Sequence, residues 1–209
     1  MPDVKDVYRT LTHPGEAVYT EKRSRFLAFA YHVDTEDDVR RITAELRKKY
    51  YDARHVCYAY VLGFDGGKSR ANDDGEPSGS AGKPILGRLR ALDVTFTLVV
   101  VVRYFGGVKL GTGGLAVAYK TAAAAALDVA VIEEKIVKTV FRVRVPYADA
   151  DVAMRFVREG MADIVERDYT DTCTFLAISV RLCDEPSLRE RLGKILSLAF
   201  IDDDESETK

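Results

Sequence analysis

Two stretches hold most of the side chains that could do chemistry. The first, Asn72-Asp-Asp-Gly-Glu-Pro-Ser-Gly-Ser-Ala-Gly-Lys-Pro84, packs three carboxylates, two hydroxyls and a lysine into thirteen residues. Such a set could bind Mg²⁺, position a water, or cap and turn an ordered loop. The second, Arg103-Tyr-Phe-Gly-Gly-Val-Lys-Leu-Gly-Thr-Gly-Gly114, runs into an expected helix start. Free N–H groups and the helix dipole favour an anion there, with Arg103 and Lys109 adding charge. The plainer reading is a tight strand-to-helix turn with Thr112 as N-cap. Twelve of the fifteen glycines fall between Gly63 and Gly114. Glycine lets a ligand approach the backbone, so the two clusters together suggest a backbone-lined site. His55, at the start of a strand, is the best-placed titratable group for acid/base work if the acidic loop folds over it.

Three named motifs almost fit, and each fails on a residue. Gly106 to Gly111 has Walker A glycine spacing, but Thr112 stands where the lysine is required. Gly111-Thr-Gly-Gly-Leu-Ala116 matches a degenerate dinucleotide fingerprint, yet several residues separate it from its strand. Ser78 replaces the first glycine of a nucleophile elbow ending at Gly82.

The elements that would position these groups follow from periodicity. A strand reads from Arg25 to His32. Val39, Ile42, Leu46 and Tyr50 then recur at helical spacing, predicting a helix from about Glu36 to Lys49 with basic residues at its end. Val56 to Phe64 is β-branched and aromatic, a strand. A loop from Asp65 to Lys83 follows, then a short helix from Pro84 to Ala91 and an apolar strand from Thr95 to Arg103. The longest helix is expected from Gly114 to Ile132, its alanines packed closely on the sheet. Glu133 to Lys135 break the composition, and the pattern restarts as strand Lys138 to Val145, helix Ala148 to Glu159, hairpin Ala162 to Arg167 with Cys173 to Leu182, and helix Pro186 to Leu192. Gly193 favours a last strand within Lys194 to Ile201 over a continued helix. This β-α-β-β-α-β order is the ferredoxin-like arrangement. The chain thus reads as α+β, with domains at residues 15–134 and 135–201 and an acidic, solvated tail at 202–209.

With 209 residues, 47% of them apolar, the chain can bury a sizeable core. A net charge of −2 exerts no global pull on nucleic acid or membrane, so an anion site must be local. Lys68 to Lys120 carries eight basic residues against four acidic, whereas Asp202 to Glu207 holds five acids in six positions. Three widely spaced cysteines, Cys57, Cys173 and Cys183, suggest neither a disulfide framework nor a zinc site, which favours a reducing, cytoplasmic location. No run is long and apolar enough to span a bilayer or act as a signal peptide.

Four segments together resemble the Impact family in its bacterial YigZ-type form. They are Lys22-x-Ser-Arg-Phe26, Arg54-His-x-Cys-Tyr-Ala-Tyr60, Asp73 through Leu86, and Arg103 through Leu115. The resemblance is strong from Gly15 to Ile132. It implies an N-terminal domain like the second domain of ribosomal protein five of the small subunit, followed by a smaller ferredoxin-like domain similar to one in the translocation elongation factor. Eukaryotic members of the family regulate translation through an extra N-terminal interaction domain for which this chain has no room.

The expected function is therefore binding of RNA or ribosome, linked to regulation of translation. Arg25, Lys83, Arg103 and Lys109 would neutralise phosphate in a glycine-rich groove, and Gly106, Gly107, Gly111, Thr112, Gly113 and Gly114 would present backbone to it. Tyr104 or Phe105 would stack on a base. No cofactor is expected, although Asp73, Asp74 and Glu76 could hold Mg²⁺. An alternative uses those three carboxylates and His55 as the catalytic set of a metal-dependent enzyme acting on a small phosphorylated or nucleotide substrate. A further alternative is a protein-interaction adaptor working through the second domain. The oligomeric state is open.

Overall fold

The computed structural model describes residues 6–201, and the acidic tail lies outside them. The chain divides into two units, one spanning Val7–Lys135 and the other containing Asp6 and residues 136–201.

In the first unit the chain runs β1 (Val7–His13), β2 (Gly15–Glu21), β3 (Ser24–His32), α1 (Glu36–Lys49), β4 (His55–Leu62), β5 (Lys68–Asn72), α2 (Gly82–Ala91), β6 (Thr97–Tyr104), α3 (Gly111–Val129) and β7 (Val131–Ile136). Five strands form one sheet in the order β2-β3-β6-β4-β5, antiparallel at every pairing. β6 lies at its centre. Leu98 through Val102 are fully buried because helices cover both faces, and this is why that strand shows no alternation in sequence.

On one face α1 buries Val39 and Leu46 against Val56, Tyr60, Val100 and Val102. It starts at a reciprocal cap, in which the Thr35 side chain accepts from the Asp38 N–H and the Asp38 carboxylate accepts from the Thr35 N–H. On the other face α2 and α3 pack over Phe26, Cys57, Ala59, Val99 and Val101. The alanine run of α3 is the price of proximity to β2: a Cβ on Gly15 would lie 2.0 Å from the Ala126 carbonyl oxygen.

The sequence reading missed β1 and β2, and it placed the long loop where β5 forms. The break at Glu133 to Lys135 coincides with the division of the chain into two units after Lys135, and it falls within β7, which pairs with β1 in a two-stranded sheet. α3 begins three residues earlier than expected, so Thr112 sits inside the helix and is not its N-cap.

The second unit runs β8 (Lys138–Pro146), α4 (Tyr147–Glu159), β9 (Asp163–Tyr169), β10 (Cys173–Arg181), α5 (Glu185–Leu192) and β11 (Ala199–Ile201). Its antiparallel sheet is ordered β11-β8-β10-β9, the ferredoxin-like arrangement. Both helices bury apolar residues, Val157 and Leu188 among them, against Val143, Leu176 and Ile178. As the glycine suggested, α5 stops at Gly193 and the described residues end in strand β11. The Arg181 guanidinium ties Asp6 to this unit, and that hydrogen bond holds the Asp6 carboxyl down at about 2. Among the described residues, no helix is long and apolar enough to cross a membrane.

Candidate functional site

Strand register brings the first functional residues together. His55 opens β4 and lies directly opposite Arg103 of β6, whose other neighbour is Phe26 of β3. Alternation along each strand turns all three towards the face covered by α2 and α3. The Arg103 side chain is only 6% exposed. Its Nη1 donates to Glu76 Oε1 at 2.6 Å and its Nη2 to Ser24 Oγ at 3.4 Å. The guanidinium carbon lies 5.5 Å from the centre of the Phe26 ring and 5.7 Å from that of Phe105.

Glu76 reaches Arg103 because the loop before it turns sharply, with Asp74 at φ 44° and Gly75 at φ 82°. The same Oε1 accepts from the Tyr119 hydroxyl at 2.9 Å. The Cys57 thiol extends the network, its Sγ 3.3 Å from that hydroxyl and 3.0 Å from the Asp73 carbonyl oxygen. Burial pushes both the Cys57 thiol and the Tyr119 phenol up, so both keep their protons and act as donors.

His55 Nδ1 lies 2.8 Å from the Asp74 carbonyl oxygen. A carbonyl can only accept, so the proton is on Nδ1 and Nε2 is the ring's remaining nitrogen. It lies 3.9 Å from Glu76 Oε1, too far for a direct hydrogen bond.

The acidic loop is architecture, which corrects the reading of its carboxylates as one cluster. Asp73 accepts three backbone N–H groups, from Gly79 at 2.7 Å, Ala81 at 3.0 Å and Gly82 at 2.8 Å. Burial alone would raise its pKa, but these donors hold the carboxyl below the usual range. Asp74 accepts from the Val56 N–H and from Arg47. Asp73, Asp74 and Glu76 therefore serve three different sets of partners. Among the described residues, no group of His, Cys, Asp and Glu is placed to hold a metal ion.

An open cleft of about 440 Å³ lies over this network. His55, Glu76 and Arg103 form its floor, with Arg54 and Lys109 as further cations and Phe105, Leu110 and Leu115 as apolar wall. Arg54 and Lys109 are exposed and take part in no ion pair among the described residues. Gly111 and Thr112 of α3, with Gly75 and Pro77 of the acidic loop, complete the lining.

The two helix starts on this face differ. Asp73 accepts from the amides of Ala81 and Gly82, so α2 begins on a carboxylate. α3 has Leu110 at its N-cap, no side-chain cap and no acidic residue in its first turn. Its unsatisfied N–H groups and dipole give that end a positive potential.

Of the residues singled out in the sequence, His55, Glu76, Arg103, Lys109, Gly111 and Thr112 line the cleft. Gly113 and Gly114 line a second cleft of about 260 Å³. Arg25 and Tyr104 line neither cleft, because alternation turns them to the α1 face. There the Tyr104 hydroxyl donates to Asp52 at 2.7 Å, which pushes its pKa up to about 12. Phe105, not Tyr104, is therefore the aromatic available to a ligand. Lys83, on α2, runs its side chain past Gly79 of the preceding loop. Gly106 is a contact glycine, since a Cβ there would lie 2.1 Å from the Arg23 carbonyl carbon. Gly107, at φ 85°, shapes the turn. The sequence reading gave no role to Arg54, although its place next to His55 at a strand start was a usable signal.

Fold and cleft together define a class: a two-unit α+β protein whose larger unit opens a cationic cleft at the start of its longest helix. The Impact N-terminal domain model matches residues 22–127, and the chain belongs to the Impact family. It is 43% identical to the IMPACT family member YigZ of Escherichia coli over 108 residues, which cover 51% of this chain and 53% of that one. The match thus spans about half the length of that relative. A crystal structure of a hypothetical protein covers 95% of this chain and 98% of its own at 29% identity, with a TM-score of 0.67. The two-domain translational regulator Yih1 is 27% identical over 58% of this chain and 47% of its own, with a TM-score of 0.33.

Proposed function

We propose that this protein binds single-stranded RNA and acts in the regulation of translation, with a phosphate held at the start of α3. The observation that carries this reading is the uncapped α3 start, which faces a cleft bearing three cations and one carboxylate. A helix start amounts to roughly half a positive charge, and first-turn N–H groups bind phosphate oxygens directly. Arg54 and Lys109 add mobile charge. Arg103 is fixed by Glu76 and supplies a background potential. Phe105, 46% exposed, offers a face on which a base can stack. The volume suits a nucleotide-sized group. Family membership is the reason to seek the RNA in the translation apparatus.

The test is fluorescence anisotropy of labelled single-stranded RNA at low salt, with sedimentation alongside ribosomes as a second readout. Saturable binding that Arg54→Glu and Lys109→Glu each weaken supports the reading. Absence of binding, or wild-type affinity in both variants, overturns it.

His55 supports a second reading. In the neutral ring, with the proton on Nδ1 given to the Asp74 carbonyl, Nε2 is the nitrogen that can accept a proton in the same cleft. It could serve as a general base beside a bound phosphate ester. Turnover of a nucleotide or sugar phosphate, abolished in His55→Gln with binding retained, would favour an enzyme.

A further inference from the structure

Two clefts open at the start of α3, and the helix itself separates them. Gly111, Thr112 and Leu115 line the first, while Gly113, Gly114, Val117 and Ala118 line the second. At about 100° per residue, positions two apart on a helix point to opposite sides. Leu110, at the N-cap, lines both clefts and is the ridge between them.

We propose that a nucleic-acid strand crosses this ridge, with successive nucleotides in the two clefts and the phosphate between them over the first-turn amides of α3. The inference rests on the RNA-binding reading and deepens it: the ligand is a strand of at least two nucleotides, not a free mononucleotide.

Four observations support it. First, the Arg103 side chain is 6% exposed and lines the first cleft, yet its Nε–H lacks an acceptor among the described residues. A buried donor without a partner is costly; the Nε atom has no exposed surface as the side chains stand, so a ligand that shifts Phe105 would let an acceptor from the cleft satisfy it. Second, the far cleft has its own cation. Lys22 lines it and takes part in no ion pair among the described residues; Glu21 lines it too, its carboxylate accepting from the Tyr19 hydroxyl at 3.0 Å. Lys22 and Arg23 form the β2–β3 turn at φ 45° and 70°, a region that side-chain-bearing residues rarely adopt.

Third, the two cation-bearing turns are clamped together. Gly106 packs on the backbone of Arg23 and Ser24, and its N–H donates to Ser24 Oγ at 3.2 Å. The hairpin carrying Lys22 is thereby fixed to the turn that leads to Lys109. Fourth, each cleft has an apolar wall for a base or sugar: Phe105 and Leu115 on one side, Val117, 62% exposed, and Tyr19 on the other.

The test is competition of unlabelled uridine mononucleotide, dinucleotide and tetranucleotide against a labelled oligouridylate, with the full chain. In the wild type the tetranucleotide is expected to bind more tightly than the mononucleotide. Lys22→Glu should weaken the tetranucleotide by about tenfold, the loss of one charged hydrogen bond, and leave the mononucleotide unchanged. Val117→Glu, on the exposed wall of the far cleft, should do the same without touching the hairpin. Lys109→Glu should weaken every length. A tetranucleotide that binds no more tightly than the mononucleotide, or that binds both far-cleft variants as it binds the wild type, overturns the crossing strand while RNA binding stands. Failure of the wild type to bind any length overturns the RNA reading and the crossing strand together.

Discussion

Replacing Lys109 by alanine tests how the cleft holds its ligand, because the side chain is exposed and has no ion-pair partner among the described residues. The substitution should therefore leave stability within about 0.5 kcal/mol of the wild type. Its effect on binding follows from counting charges. Arg54, Arg103 and Lys109 line the first cleft. Arg103 is already paired with Glu76, so Arg54 and Lys109 are the two that meet phosphate; at about 0.7 each on a single strand they give a slope of log K against log salt near −1.4. Between about 50 and 200 mM salt the wild type should then lose roughly sevenfold in affinity. Lys109→Ala removes one contact, so its slope should fall to about −0.7 and the loss to roughly 2.6-fold over the same range. At low salt it should bind about tenfold more weakly than the wild type. Anisotropy titrations at four salt concentrations, with a thermal melt of each protein, measure every quantity. A weaker variant with an unchanged slope would show that Lys109 does not meet a phosphate. Wild-type affinity indifferent to salt would refute the electrostatic reasoning altogether.

Three further outcomes follow from the packing. Glu76→Ala strands the buried Arg103 charge and the Tyr119 hydroxyl, so urea denaturation should show a loss of about 3–5 kcal/mol; a loss below about 1 kcal/mol would mean the network relaxes freely. Asp73 has a folded pKa below its ordinary value of 3.8, so its stabilising contribution is present above that value and lost as pH falls through the lowered one. Asp73→Asn should accordingly be less stable at neutral pH and show a flatter acid limb in a series of melts, whereas parallel curves would contradict the capping role. Gly106→Ala forces a methyl into the Arg23 backbone and should cost about 3 kcal/mol by chemical denaturation, unless the hairpin can move away.

Local pattern made much of the fold legible. The 3.6-residue period of Val39, Ile42 and Leu46 located α1, β-branched runs located β4 and β6, and Gly193 marked the end of α5. β1 escaped because its partner, β7, lies far along the chain, and β2 escaped although it forms a local hairpin with β3. Their short alternations, such as Glu16 to Glu21, are half polar and carry little signal alone. At the site, the strand rule already separates Arg103 from Tyr104, since neighbours on one strand face opposite ways. Reading the basic and aromatic residues as one motif hid that alternation. The acidic loop misled for another reason. Carboxylate spacing does not reveal that Asp73 will be taken by amides six to nine residues onward, or Asp74 by Arg47 from a different helix. The start of α3 was misplaced because Thr112 has the chemistry of a cap, whereas the chain enters the helix through Gly111 at φ 71°.

The order β2-β3-β6-β4-β5 also dictates when the first unit can close during synthesis. Both β3 and β4 lean on β6, and Thr97 follows His32 by 65 positions. At about 5–20 residues per second, a ribosome needs roughly 3–13 seconds to reach β6 after finishing β3. Throughout that interval the edge of β3 that will meet β6 has no partner, with Phe26 and Phe29 on a strand that cannot yet be buried. Until then the nascent chain exposes apolar surface of the kind that holding chaperones recognise. Substitutions along β6 should lower soluble yield in cells more than their effect on the finished protein's stability would suggest.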